Sequence, residues 1–342
     1  MGVFRMQLKS KQEVLQLPAG PVDIALACFL SACAGLCPQL FADNAKIGVA
    51  YSGGADSTAL LLSALKRWPG QVHALHIHHG LQAAADVFAN HCQSCCEAWE
   101  VPFSIMHVNA RHASGQSPED AARNSRYQAL IQMAKAQGLD VVLLGQHADD
   151  QVETLLLALS RGAGLPGLAC MPAVFERQGV LFVRPMLEVG VKALKAYLEA
   201  QGIGWVEDPT NNERLYTRNK IRLDILPAIV ATFPSYLETF IRSIHHIAEA
   251  QQLLEEVAQQ DLAGVGNPPA IKALQKLSSQ RQANVLRFWF KAYHQTSPST
   301  KQLGELLKQV QACRTRGHHI HMRVGSGVVV REKDALAFKK EG

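Results

Sequence analysis

The run Ile47-Gly48-Val49-Ala50-Tyr51 is followed at once by Ser52-Gly53-Gly54-Ala55-Asp56-Ser57, and then by helix-forming residues from Thr58 to Arg67. An apolar strand, a glycine turn rich in hydroxyls and the first turn of a helix together make a site for an anion. Glycines let the backbone approach an oxyanion closely, and the free N–H groups and positive dipole end of the helix point at it. Ser52, Ser57 and Thr58 add hydroxyl donors. Asp56 would repel a phosphate by itself, so its presence suggests a bridging Mg²⁺. Two glycines, two serines and an aspartate in this order exceed what a tight turn between core elements requires. The chain contains no Gly-x-x-x-x-Gly-Lys-Ser/Thr, so this is not the phosphate loop of kinases and GTPases.

Strand-like and helix-like segments alternate outward from this stretch. Lys46–Tyr51 reads as a strand and Asp56–Arg67 as a helix; Gln71–Ile77 is a second strand and Asp86–Glu100 a second helix. Phe103–Val108 is a strand, and Ser117-Pro118-Glu119-Asp120 opens a helix with serine as N-cap and proline at its first position. Asp140–Gly145 is a strand that leads to the helix Asp149–Ser160. The order predicts an α/β fold: a doubly wound, mainly parallel sheet with helices on both faces. Ligands in such sheets bind beyond the carboxyl ends of the strands. Three polar clusters fall on that edge: Ser52–Ser57, His76-Ile77-His78-His79-Gly80-Leu81, and Gly145-Gln146-His147-Ala148-Asp149-Asp150-Gln151.

Pro185, Pro209, Pro227 and Pro234 punctuate the next stretch, and a boundary is expected near Pro227–Pro234. From Ser235 to about Gln260 the apolar residues fall at helical steps. Gly264-Val265-Gly266-Asn267-Pro268-Pro269 is a loop, Ser279–His294 and Thr300–Cys313 are helical, and His318–Phe338 alternates like a short hairpin.

The 342 residues, 48% hydrophobic and 18% charged, suit about two globular domains with a sizeable core. The formal charge of +5 is mild. It is uneven, however: Gln311–Gly342 holds seven Lys/Arg against three Asp/Glu, with His318, His319 and His321 beside them, which suits a nucleic-acid partner or a solvated tail. The eight cysteines read as reduced, mostly buried thiols. Cys92-x-x-Cys95-Cys96 invites a metal or Fe–S reading, but it lies in a helical pattern without a second cluster at zinc spacing. The apolar run Val22–Cys37 is shorter than the roughly 20 residues that span a bilayer and contains Asp23. A signal peptide after Arg5, Lys9 and Lys11 fits poorly with a nucleotide site just downstream. Pro21–Cys37 is therefore expected to be an amphipathic helix on the first strand, in a cytoplasmic protein with no membrane segment.

Ser52–Ser57 is similar to the PP-loop of ATP pyrophosphatases, which cleave ATP between the α- and β-phosphates. A wider set carries a closer resemblance: His78-His79-Gly80-Leu81, Glu119…Arg123…Arg126-Tyr127, His147-Ala148-Asp149-Asp150-Gln151-Val152-Glu153-Thr154, Arg161-Gly162, Arg184-Pro185, Glu207-Asp208-Pro209-Thr210-Asn211 and Arg218-Asn219-x-x-Arg222. Together with the loop, it resembles the tRNA(Ile)-lysidine synthase family from about Lys46 to Pro227. Ser235–Gly342 looks like that family's helical middle domain. Many members carry a further C-terminal domain, so the chain resembles a short form. The expected organisation is an N-terminal extension over 1–42, an ATP-binding catalytic domain over 43–230 and a helical tRNA-binding domain over 235–342.

The resemblance implies that ATP adenylates the C2 oxygen of the wobble cytidine in a CAU anticodon and releases pyrophosphate. The ε-amine of free lysine then attacks C2 and expels AMP, and the lysidine formed pairs with A instead of G. On this reading Ser52, Gly53, Gly54, Ala55, Asp56 and Ser57 bind ATP, with Asp56 on Mg²⁺. His147, Asp149 and Asp150 join Asp56 in catalysis. His78, His79, Glu119, Arg123, Arg126 and Glu153 face substrate or adenylate, and Arg218 and Arg222 face tRNA phosphates. Asp149, Asp150 and Glu153 could hold metal or the ammonium of lysine, or an aspartate could cap its helix. Glu119, Arg123 and Arg126 share a helical face and would also suit a surface ion-pair ladder. A homodimer is compatible with the sequence. The alternative within the fold is a tRNA thiolase, which would need the Cys92–Cys96 cluster, expected on a helix away from the motif-bearing edge.

Overall fold

The structure, a computed structural model, describes residues 8–78, 83–108, 118–208, 213–214, 216–315 and 317–340, the side chains of 83, 84 and 118–120 excepted. It divides into two compact units, Met1–His245 and His246–Gly342. The division falls inside one long helix, downstream of the proline-punctuated stretch Pro227–Pro234.

The first unit begins with helices α1 (Lys11–Leu15) and α2 (Pro21–Cys33). Then come strand β1 (Ile47–Ala50), α3 (Ala55–Arg67), β2 (Val72–His78), α4 (Ala83–Ala98), β3 (Phe103–His107), α5 (Pro118–Gln137), β4 (Val141–Leu143) and α6 (Ala148–Ser160). The short α7 (Leu165–Leu168) precedes a hairpin of β5 (Val174–Arg177) and β6 (Val180–Val183). Helices α8 (Val191–Ala200), α9 (Thr217–Lys220) and α10 (Leu226–Thr232) follow, α9 and α10 joined by a π-helical turn over Ile221–Ile225.

Among the described residues the strands form one sheet in the order β3-β2-β1-β4-β6-β5. All neighbours are parallel except β5 and β6, so the sheet is doubly wound and mainly parallel as expected. The hairpin had no clear sequence signal, because Gln178-Gly179 turns a chain whose strands are only four residues each. β1 is buried because helices cover both faces. Ile47 and Val49 pack with α3 and the cysteines of α4, while Leu75, Val142 and Phe182 pack with α5. Chain order reverses between β1 and β4, and that crevice is where a doubly wound sheet opens for a ligand.

Helix α2 is shorter than expected. It stops at Cys33 and packs mainly on α3 and α8, burying Val22, Leu26 and Leu30 in the same core as Ile47 and Val49 of β1. Lys66 of α3 fixes it, bonded to Asp23, to Tyr197 Oη at 3.1 Å and to the Pro18 carbonyl. The second unit follows from α11 (Tyr236–Val265), in which the division falls. It holds α12 (Ile271–Leu274), α13 (Ser279–His294) and α14 (Thr300–Ala312). The chain then forms an antiparallel sheet of β7 (His321–Val324), β8 (Gly327–Glu332) and β9 (Ala335–Lys340), one strand more than a hairpin. Its core gathers Leu286, Trp289 and Phe290 of α13 against Leu303 and Leu306 of α14 and Val329 of β8. Among the described residues no helix is long and apolar enough to cross a membrane.

Candidate active site

The phosphate-loop stretch turns as its glycines require. Gly53 sits at φ +83°, a left-handed conformation that a side chain would strain. Gly54 caps α3 without a side-chain bond, which leaves the first-turn N–H groups open to an anion. The serines do something other than wait as free donors. Ser57 Oγ accepts from the Ser52 N–H at 3.1 Å, donates to the Gly54 carbonyl at 3.1 Å and lies 3.0 Å from Ser52 Oγ. They brace the loop from inside. The Val206 N–H donates to the Gly53 carbonyl at 2.9 Å, so the segment after α8 also holds the turn.

Helix α4 lies directly behind the same turn. A Cβ on Gly53 would come within 2.8 Å of Cys92 Sγ and 3.4 Å of His91 Cδ2. The expectation that the cysteine cluster stands away from the motif edge is therefore corrected. The helical period that suggested distance also carries Cys92 under the loop. Its chemistry is nonetheless that of packing. Cys92, Cys95 and Cys96 are buried, and burial pushes the Cys92 thiol far up and that of Cys96 up to about 12.

The loop after β4 closes the other side of the crevice. A Cβ on Gly145 would lie 3.4 Å from the Ser57 backbone, so its absence lets the two loops touch. His147 follows, buried, with Nε2 3.6 Å from both Asp56 Oδ2 and Asp150 Oδ2, and Nδ1 3.6 Å from Asp149 Oδ2. Burial opposes its charge, but Asp150, Asp149 and Asp56 outweigh that and push the imidazole up to about 10. Residues remote in sequence, Asp56 and His147 to Asp150, thus meet in one charged cluster.

The two aspartates divide their work. Asp149 accepts from the Val191 N–H at 2.8 Å and from Tyr236 Oη at 3.1 Å, so it ties α6 to the starts of α8 and α11. Although burial acts the other way, His147, Val191 and Tyr236 hold its carboxyl below the usual range. Burial and Asp149 push the Tyr236 hydroxyl up to about 12. Asp150 takes the His147 N–H at 3.1 Å, which is the capping role, and its other oxygen lies 3.9 Å from Arg222. Asp56 Oδ1 is buried with no hydrogen-bond partner, an orphaned acceptor that suits a hard cation. Among the described residues no three His, Cys, Asp or Glu gather in metal-ligating geometry. A Mg²⁺ here would rest on Asp56 and on substrate oxygens, a common arrangement for this ion.

Glu153, one turn along α6, is wholly buried and faces arginines. Arg222 donates to it through Nε at 2.7 Å and Nη2 at 3.1 Å, and Arg218 Nε lies 3.3 Å away. Arg218 Nη2 also donates to Thr154 Oγ1 at 2.9 Å. Glu153 therefore anchors α9 and the π turn, and the two arginines keep about a third of their side-chain surface exposed. Arg123 and Arg126 are exposed on α5, with Arg123 over the Tyr127 ring. His78 ends β2, its ring tilted against that of His107 with centroids 4.4 Å apart, and is paired with Asp86 at 3.0 Å. His79 and the side chain of Glu119 lie outside the described residues.

The motif reading gave no role to three residues that the structure places in this network. Tyr236 carries no sequence signal for its bond to Asp149. Arg184 and Gln146 stood in quoted motifs, but only the fold brings them together, Arg184 Nε donating to Gln146 Oε1 at 3.1 Å.

Residues 31–229 match the PP-loop domain family, and residues 270–337 match the TilS substrate binding domain. A tRNA(Ile)-lysidine synthase of Polaromonas naphthalenivorans is 61% identical, the match covering 85% of this chain and 89% of that protein. That of Bordetella pertussis is 38% identical, covering 82% and 90%. That of Burkholderia pseudomallei is also 38% identical over 82% of this chain, but the match spans 59% of its length. Among solved structures, the U34-tRNA thiolase NcsA of Methanococcus maripaludis with its [4Fe-4S] cluster matches at TM-score 0.53 and 16% identity, over 66% of this chain and 80% of that one, a likeness of fold alone. With a PP-loop, its partner loop and relatives of this identity over most of both chains, the protein belongs to the tRNA(Ile)-lysidine synthase family.

Proposed function

We infer that the chain ligates free lysine to C2 of the wobble cytidine in CAU-anticodon tRNA(Ile), consuming ATP and releasing pyrophosphate and AMP. The observation that carries this reading is the contact of the two loops across Gly145. It sets an open helix N-terminus, suited to the phosphates of ATP, beside a charged cluster suited to the group under attack.

The chain's own residues account for the first step as follows. The first-turn N–H groups of α3 and the braced turn Ser52–Ser57 would receive the phosphates and stabilise the charge that builds on departing pyrophosphate. Asp56 would hold Mg²⁺, which when bound offsets phosphate charge. His147, kept cationic by three carboxylates, holds Asp56 and Asp150 in register. Asp150 would meet the lysine ammonium through Oδ1, its Oδ2 capping α6, since both oxygens of Asp149 and of Glu153 are committed to α8, α11 and the arginines. Arg123, Arg126, Arg218 and Arg222 would take RNA phosphates. The stretch His246–Gly342 carries fourteen Lys/Arg against eight Asp/Glu, a surplus that favours RNA backbone there too. Such work places the protein in the cytoplasm.

The test is one assay. ATP, labelled lysine and CAU-anticodon tRNA(Ile) should give label in the tRNA, and folded protein that incorporates none would remove the reading. A thiolase finds little support, because its thiols would be the buried, high-pKa cysteines of α4. Replacing Cys92, Cys95 and Cys96 together by serine, which keeps their size, should leave lysidine formation in place; loss of activity with normal folding would revive the thiolase.

A further inference from the structure

Arg184 is an expensive residue to place where it is. The residue is 2% exposed, and a buried cation is costly unless its donors find partners. Nη1 donates to the Pro172 carbonyl at 2.7 Å, Nη2 donates to Tyr127 Oη at 2.8 Å and Nε donates to Gln146 Oε1 at 3.1 Å. The guanidinium also lies over the Phe175 ring at 4.3 Å, and Phe175 and Phe182 are packed against Tyr127. Pro172 and Tyr127 build a rigid seat. The third bond reaches out of that seat to one carboxamide in the loop between β4 and His147.

Arginine has no acceptor, so the amide can meet Arg184 only through its oxygen. Gln146 is a half-buried residue at the edge of the crevice, and its –NH₂ is thereby turned away from Arg184. Among the described residues that –NH₂ makes no hydrogen bond. A fixed, donor-only group tells acceptors from donors, and that ability is wasted on a phosphate, whose oxygens all accept. On the lysine-ligation reading, the arginines of α5, α9 and the π turn would serve phosphates. An orientation-locked amide suits a nucleobase edge, where sequence is read. Cytosine presents two adjacent acceptors, O2 and N3; uracil presents a donor at N3.

We propose that Gln146, held by Arg184, reads the O2/N3 acceptor edge of the target cytosine and discriminates it from uracil. The inference rests on the lysine-ligation reading above. Q146E is the discriminating variant, because glutamate keeps and strengthens the bond to Arg184 while replacing both donors with an acceptor. In the full chain Q146E should melt no lower than wild type and keep its KM for ATP. Its kcat/KM for CAU-anticodon tRNA should fall about 10- to 100-fold, the scale of one lost base contact. A transcript with uridine at the wobble position should compete better against the cytidine transcript in Q146E than in wild type. Q146M, uncharged and of similar length, should lower kcat/KM for tRNA in the same direction. Undiminished tRNA kinetics in either folded variant would overturn the proposal, as would a rise in KM for ATP alone, which would place adenine there. Absence of label with wild type overturns the ligation reading and this inference together; label with wild type and full activity in Q146E overturns the inference only.

Discussion

Arg222 grips Glu153 with two prongs, at 2.7 and 3.1 Å, and Glu153 has no exposed surface at all. The pair joins α6, which opens with the charged cluster, to the π turn that carries Arg222. Removing the carboxylate charge strands two cations, Arg222 at 36% and Arg218 at 32% exposed, so the loss should fall below that of a fully buried pair. Glu153→Gln should cost about 2–3 kcal/mol, read from urea denaturation. A cost near zero would show that solvent already satisfies Arg222.

Asp56→Asn keeps the shape of the first turn of α3 and removes one charge. Pyrophosphate release should fall at least about 100-fold, with the melting temperature close to wild type. A Mg²⁺ titration should show a weaker requirement for the ion in whatever activity remains. An unchanged rate would remove Asp56 from any cation-holding role.

Cys92 supports the phosphate turn by size, not by reactivity. Cys92→Met adds length against Gly53, where a single Cβ would already meet the sulfur at 2.8 Å. The KM for ATP should rise about tenfold while the sheet stays folded, since overpacking costs about 1–3 kcal/mol locally. In the native protein Cys92, Cys95 and Cys96 should resist a thiol reagent that labels exposed Cys28.

The His147 cluster gives stability a pH signature. A histidine raised to about 10 contributes fully below its unfolded value of about 6.5 and loses that contribution as pH rises toward 10. Asp149, held low, contributes above its unfolded value of about 4 and loses it on acidification. The stability difference between wild type and His147→Gln should therefore be largest between about pH 4 and 6.5 and shrink on both sides. Denaturation midpoints across that range check it; a flat difference would mean that packing alone supports His147.

The alternation of strands and helices was legible because β1, β2 and α3 carry strong periodicity, and the rule of strand ends then placed Asp56 and His147 on one edge. Pairing was not legible. Nothing in Asp149 marks Val191 and Tyr236 as its partners, and nothing in Glu153 marks Arg222, because such bonds depend on how helices pack. The serines of the phosphate loop misled in a related way: hydroxyls next to glycines look like ligand donors, while geometry turns Ser57 inward. Cys92 looked remote because helical periodicity says which face a residue occupies and not what that face meets.

The touch of the two loops across Gly145 bears on how the protein assembles. β1 and β4 are neighbours in the sheet but are separated in the chain by two further strands and three helices. The crevice therefore exists only once the whole sheet has closed, and a partly folded chain offers a nucleotide half a site. A ligand that binds only the closed sheet stabilises it by mass action. The nucleotide would then act as a fastener for the fold as well as a reactant, protecting β1, β4 and the elements between them from unfolding as one cooperative block.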